Sequence, residues 1–213
     1  MRVRNWLLAL ALLLSANGIA GATTIAYDNV NLGQGNQDYG GSLGLDFTVN
    51  SPIFVTGLGA YDTGNPAQLI GQDASSGVTV YIAKLSNSTQ IGPSVTFTPT
   101  NAGTQINADA FLSVPEFVLP AGNYSVVAWN DNNYNTNGPP NGTSTENTGG
   151  GLISFIGGGR YGSAGAFPGT GDGGPTNRYD AGTFQFRGVP EPTSIAMAAI
   201  ALGALLCLGR KRV

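Results

Sequence analysis

Hydrophobic and polar positions alternate with a period of two through the middle of the chain. Leu43, Leu45, Phe47 and Val49 fall on one side of an extended segment, with Gly44, Asp46 and Thr48 on the other. That spacing predicts a strand with one face buried and one facing water. Ile53 to Tyr61 is a second apolar run, opened by Pro52, and Val78, Val80 and Ile82 alternate with Thr79, Tyr81 and Ala83 in a third. Val95 to Thr98 and Phe111 to Val114 are shorter candidates. Phe117-Val118-Leu119 leads into Pro120-Ala121-Gly122-Asn123, where Pro presets φ and Gly or Asn supplies a positive-φ position, and this predicts a turn. Tyr124 to Trp129, Leu152 to Ile156 and Thr183 to Arg187 read as further strands, and Thr24 to Tyr27 as the first. About nine short strands with no competing helical stripe predict an all-β fold, an antiparallel β-sandwich or jelly roll.

Composition agrees with that pattern. Gly 33 and Pro 12 are about a fifth of the 213 residues, against a norm near 12%, which is too much punctuation for a mostly helical protein. An apolar fraction of 41% is too high for a disordered one. The absence of His excludes Ser-His-Asp and Cys-His nucleophiles, His-ligated zinc and His acid-base chemistry. Between residues 23 and 192 the only bases are Lys84, Arg160, Arg178 and Arg187, whereas all 12 acids lie there, a formal charge of −8. Phosphate binding needs clustered Lys and Arg, so nucleic acid is not an expected partner.

The two ends are of a different character. Arg2 and Arg4, the apolar run Trp6 to Leu14, and the small residues ending Ala20-Gly21-Ala22 have the order of a secretory signal peptide. The run is too short to cross a bilayer core of ~30 Å, so cleavage is expected after Ala22, with Ala16-Asn17-Gly18 as a second site. Such a segment implies the secretion translocon and signal peptidase as partners. At the other end, Val189-Pro190-Glu191-Pro192 precedes an apolar stretch from Ile195 to Leu208 and the basic cluster Arg210-Lys211-Arg212. Thr193 to Leu208 makes a transmembrane helix about 24 Å long at 1.5 Å per residue, short for a permanent span. The basic cluster would stay cytoplasmic, leaving the middle of the chain outside the membrane.

In these residues the chain resembles proteins with the PEP-CTERM sorting signal, in which Pro-Glu-Pro precedes a short hydrophobic helix and a terminal Arg-rich cluster. The match is Pro190, Glu191 and Pro192, then Ile195 to Leu208, then Arg210, Lys211 and Arg212. The resemblance implies a Gram-negative type of bacterium, export across the inner membrane, and recognition by an exosortase, an integral-membrane protease or transpeptidase. It also implies removal of the tail and delivery of the body to the cell surface or exopolysaccharide matrix. Two prolines hold an extended segment that a membrane enzyme can grip. A plain tail anchor is the alternative. Three regions are therefore expected: 1–22 signal peptide, 23–188 β-sandwich, and 189–213 sorting signal. Cys207, the single cysteine, falls within the tail helix as a small apolar residue. The body, with its Leu119-Pro120-Ala121-Gly122-Asn123-Tyr124 turn, is similar to β-sandwich modules of secreted bacterial proteins.

Two connections are long: Asn130 to Gly150, polar, and Gly157 to Gly182, rich in Gly with Phe167-Pro168 in its middle. With Leu152 to Ile156 as one ordinary strand between them, they are expected to emerge at opposite ends and to build no single site. Trp129, Asp131 and Tyr134 are candidate glycan contacts, an aromatic face stacking on pyranose C–H groups while Asp and Asn take hydroxyls. The competing reading packs Trp129 between the sheets. Asp131, or Asp172 among its glycines, is a candidate calcium ligand, although neither sits in an EF-hand pattern and Asx turns account for both. Calcium aside, no cofactor is expected. Glu116, placed before a strand, and Glu146, placed in a loop, are the only glutamates ahead of the sorting motif and the one candidate acid-base pair for a polysaccharide hydrolase. Gly157-Gly158-Gly159-Arg160 lacks the G-K-[ST] of a phosphate-binding loop. The expectation is a non-enzymatic structural or adhesive protein of the surface or matrix, with a carbohydrate-binding module of the matrix as the alternative.

Overall fold

The computed structural model describes residues 22–30, 39–62, 77–130 and 144–190. The signal peptide, the apolar tail, Asp131, Tyr134, Glu191, Pro192 and Arg210 to Arg212 lie outside the described residues.

Alternation and turn chemistry produce thirteen strands. The first four are β1 (Thr24–Ile25), β2 (Tyr27–Asn29), β3 (Ser42–Val49) and β4 (Ile53–Tyr61). Next come β5 (Val78–Lys84), β6 (Gln90–Phe97), β7 (Thr104–Ile106), β8 (Asp109–Leu119) and β9 (Gly122–Trp129). The last are β10 (Ser144–Glu146), β11 (Ile153–Gly162), β12 (Thr170–Asp172) and β13 (Gly182–Gly188). A five-stranded sheet has the order β1-β13-β4-β8-β7, a six-stranded sheet the order β12-β11-β3-β9-β5-β6, and β10 pairs with β2 alone. All neighbours are antiparallel.

The two larger sheets share one core, as in a β-sandwich. From β3, Leu43, Leu45, Phe47 and Val49 are all buried, as their alternation predicts, and they pack with Ile53, Val55, Leu58, Phe184 and Phe186 of the opposite sheet. Phe47 and Phe184 meet across the sandwich with ring centres 4.7 Å apart. Contacts set Ala22–Gly188 apart from the terminal segments. Among the described residues there is no helix, and none long and apolar enough to cross a membrane.

Thirteen strands replace the expected nine because the first divides into β1 and β2 and the three-residue β7, β10 and β12 form where no alternation marks them; other strands continue through residues that carry no alternation. On β6, Gly92-Pro93-Ser94 lies opposite Tyr81 alone. On β8, Val114-Pro115-Glu116 lies opposite Thr56 alone, which joins the two short strands expected there into one. On β11, Ile156-Gly157-Gly158 lies opposite Asp46 alone, and the strand continues to Gly162 through what reads in sequence as a glycine loop. Each is a bulge, where a residue without a side chain or without an N–H loses no ladder bond. Gly157, at φ +79, supplies the backbone twist.

Candidate functional site

Strand register sorts the outward-facing side chains of the six-stranded sheet into rows. Arg160, Gly44, Val127 and Tyr81 form one row, and Ser42, Trp129 and Thr79 form the next. This face is expected to meet water, yet Ser42 is buried and Asp46 is only 3% exposed. Over Ser42 the reason is the segment 163–169, which crosses back over the sheet as a strap; against Asp46 lie Arg160 and the β11 bulge at Gly158. Pro168 sits above Gly44, where an added Cβ would lie 3.1 Å from the proline Cγ. Phe167 packs with Tyr81, Ala83, Val127 and Trp129 in an apolar cluster separate from the main core. The Ser42 hydroxyl donates to the Ser163 carbonyl at 2.9 Å, and the Arg160 guanidinium lies 5.9 Å from the Phe167 ring centre.

Trp129 belongs to this outer cluster and does not pack between the sheets. Tyr124, Val126 and Ala128 take the inward positions of β9, so parity turns Val127 and Trp129 outward. The indole is half-buried, with Ser42 and Thr79 as its cross-strand neighbours. The Thr79 and Thr96 hydroxyls are 2.9 Å apart beside it. Asn130, at φ +65, donates from its amide to the Gly77 carbonyl and turns the chain away at the end of β9. An aromatic ring with threonine and serine hydroxyls beside it can stack on a sugar ring and bond its hydroxyls.

On the same face, Asp46 accepts from Arg160 Nε through both carboxylate oxygens, at 2.9 and 2.7 Å. Burial pushes the Asp46 carboxyl above its ordinary value of 3.8, with Arg160 opposing the shift. The three-residue bulge of β11 makes room for this carboxylate. Burial likewise raises the Tyr81 phenol.

Asp172, a candidate calcium ligand, has both carboxylate oxygens bonded within the chain. One carboxylate oxygen accepts from the Gly174 N–H at 3.1 Å, an Asx-type turn, and the other from Arg178 Nη1 at 2.6 Å. Burial alone would raise its pKa, but the Tyr179 hydroxyl, the Gly174 N–H and Arg178 hold it below 3.8. The Tyr179 phenol moves up, through burial and its bond to Asp172. Among the described residues no three His, Cys, Asp or Glu side chains converge as a metal site.

Glu116 and Glu146 occupy other places than their sequence setting suggests. Glu116 lies within β8 and takes a bidentate ion pair from Arg187, with Nη2 2.7 Å from Oε2, while Arg187 stacks over Phe54 at 4.5 Å. Glu146 lies in β10 and accepts from the Asn177 amide. The two glutamates thus lie on different sheets, each with its own partner.

That second bond corrects the expectation that the two long connections stay apart. Asn177, only 4% exposed, accepts from the Gly157 N–H at 2.9 Å through its side chain and from the Tyr27 hydroxyl at 2.7 Å through its carbonyl. Because β11 runs on to Gly162 and the chain then doubles back, the segment after it returns to the bulge and meets the segment that precedes β11.

Family models searched against the chain give no match, and no curated protein matches it. The Asp46–Arg160 pair and the strap were not foreseen from sequence. Phe167-Pro168, an apolar pair within a glycine-rich stretch, was their one visible signal.

Proposed function

We propose that the chain is an exported protein of the cell surface or exopolysaccharide matrix, non-enzymatic and structural or adhesive in role, sorted and processed through its C-terminal Pro190-Glu191-Pro192 segment by an exosortase-type membrane protease. The observation that carries this reading is the pairing of the first strand with the last. Thr24 pairs with Phe186 and Ile25 with Gln185, so the folded body closes two residues inside the expected signal-peptide cut and two residues before Pro190. Trimming at both points leaves every strand of the sandwich intact. The ion pairs Arg160–Asp46, Arg178–Asp172 and Arg187–Glu116 also favour a structural role, since they commit these side chains to one another.

Intact-mass spectrometry of the protein from the native host's envelope and medium tests the proposal. A C-terminus between Pro190 and Thr193 supports sorting, and a membrane-bound species still ending at Val213 overturns it in favour of a plain tail anchor.

Carbohydrate binding in the matrix is the second reading, favoured by the outward position of Trp129 among Tyr81, Phe167 and the threonine hydroxyls. A polysaccharide hydrolase using Glu116 and Glu146 is less well supported, because the two carboxylates lie on different sheets and each already has a partner, Arg187 and Asn177.

A further inference from the structure

The outward face of the six-stranded sheet is apolar at positions where a water-facing sheet carries polar side chains. Tyr81 and Ala83 on β5 and Val127 on β9 point away from the main core, yet none is more than 9% exposed. The partly buried Phe167 and Trp129 pack against them. Phe167 belongs to the strap, so the ring of one loop residue closes over a patch built on two strands.

The strap is lightly fixed. No residue from Ser163 to Gly169 belongs to a strand, and the chain re-enters the sheet only through the three-residue β12. Ser163 to Ala166 are exposed, Gly165 turns the backbone at φ +74, and a Cβ added at Gly165, Gly169 or Gly171 would meet nothing within 4 Å. Apart from Phe167, its hold on the sheet comes from two places. The Ser42 hydroxyl donates to the Ser163 carbonyl, and the buried Pro168 sits over Gly44 and Gly162, where an added Cβ would lie 3.1 Å from its Cγ and 2.9 Å from its Cα. A segment with so few packed side chains opens at a lower free energy than the strands beneath it.

We infer that the strap is a lid over a sugar-binding patch, and that the Phe167 ring stands where a pyranose ring stacks once the lid lifts. This rests on the carbohydrate-binding reading and concerns the control of that same face. The covered ground suits a sugar. Tyr81 pairs with Val127 and Thr79 with Trp129, so Tyr81 and Trp129 are diagonal neighbours about 7–8 Å apart and their rings share one patch. The paired Thr79 and Thr96 hydroxyls border it. Arg160 lies in the row of Tyr81 and Val127 and bonds Asp46 through Nε alone, which leaves its Nη donors for a sugar hydroxyl when the Phe167 ring withdraws. With the lid closed only the half-buried indole is presented, and the apparent affinity falls in proportion to the open fraction.

The test measures retention of exopolysaccharide purified from the native host by the full chain and its variants. Phe167→Ala empties the place of the ring, whereas Pro168→Gly keeps the ring and loosens its seat. The expected result is several-fold greater retention by Phe167→Ala than by the parent, a shift in the same direction for Pro168→Gly, and loss of the gain when Trp129→Ala is added to Phe167→Ala. A gain that survives the added Trp129→Ala would overturn the lid, since it would reflect adhesion to bared apolar surface. Unchanged or weaker retention by both loosened variants, with Trp129→Ala alone still lowering it, would overturn the lid and leave the carbohydrate reading standing. No retention by the parent or any variant would overturn both.

Discussion

The Asp46 carboxylate fills the space that a side chain at Gly158 would need: a Cβ built there lies 2.7 Å from Asp46 Oδ2. Neither group can yield easily, because Asp46 is pinned by Arg160 and Gly158 by its bulge. Gly158→Ala should therefore lower unfolding stability by about 1–3 kcal/mol, the usual range for overpacking. Gly171→Ala, with nothing within 4 Å of the added Cβ, should stay within about 0.5 kcal/mol of the parent. Urea denaturation of the two variants side by side checks the contrast.

Removing the strap's aromatic ring uncovers Tyr81 and Trp129. Phe167 is only partly buried, so Phe167→Ala should cost about 1–2 kcal/mol, below the 3–5 of a fully buried Phe. The two tryptophans are Trp6 and Trp129, so in a Trp6→Phe background the emission reports Trp129 alone. Its maximum should move to longer wavelength as water reaches the indole; an unchanged spectrum would mean that Phe167 does not shield it.

Asp46 and Asp172 should give stability slopes of opposite sign. The Asp46 pKa is raised in the folded protein, so ionising it opposes folding: its contribution falls as pH rises from 3.8 through the folded value. Asp46→Asn removes that fall, and the variant should improve relative to the parent as pH climbs from about 4 toward neutrality. The Asp172 pKa is lowered, so its contribution is present above 3.8 and lost as pH drops through the folded value. Asp172→Asn should be destabilised by about 0.5–1 kcal/mol at neutral pH, the scale of an ion pair near the surface, and match the parent in acid. Thermal melts across this pH range separate the two slopes.

Asn177 holds three segments together from a left-handed backbone, φ +51. Asn177→Ala strips partners from Glu146 and the Gly157 N–H and gives up the tolerance of Asn for the αL region, for about 2–3 kcal/mol. Asn177→Gly relieves the backbone term alone and should recover part of the loss. Hydrogen exchange at Gly157 should speed up in both variants, and a protected amide there would show that the Asn177 side chain is dispensable.

Binding of soluble bacterial exopolysaccharide, if it uses the outer face, depends on the indole. Trp129→Ala should reduce retention in a polysaccharide pull-down by about tenfold, given about 1 kcal/mol or more for an aromatic stack. Retention unchanged by the substitution would remove this face from consideration.

Strands with strict alternation were legible in the sequence. In β3 and β5 every expected inward residue is buried, because the polar partner at each second position identifies the face. The second half of β11 was not legible, since Gly157, Gly158 and Gly159 offer no side chains from which to read a face. Pro93 and Pro115 hid the continuity of β6 and β8, since proline normally argues against a strand interior and only the bulges admit it. At the candidate site, Trp129 was visible as a residue but its direction was not: Val126-Val127-Ala128-Trp129 is apolar throughout and has no parity. Asp46 was read onto the water-facing side of β3, correctly by period. What lies against its carboxylate is Arg160 and the bulge at Gly158, more than a hundred residues later in the chain, a tertiary fact with no local trace.

The place of β13 has a mechanical consequence. Pro-free from Gly182 to Gly188, the strand pairs with β4 along this length and with β1 at Gln185 and Phe186. A pull on Val189 resisted at the far pole runs along the strand axis, so the bonds on both flanks bear the load together in shear. A pull that separates the two chain ends meets only the two-residue β1, which peels away one bond at a time. Held by its C-terminal side, the body is loaded in its stiff direction.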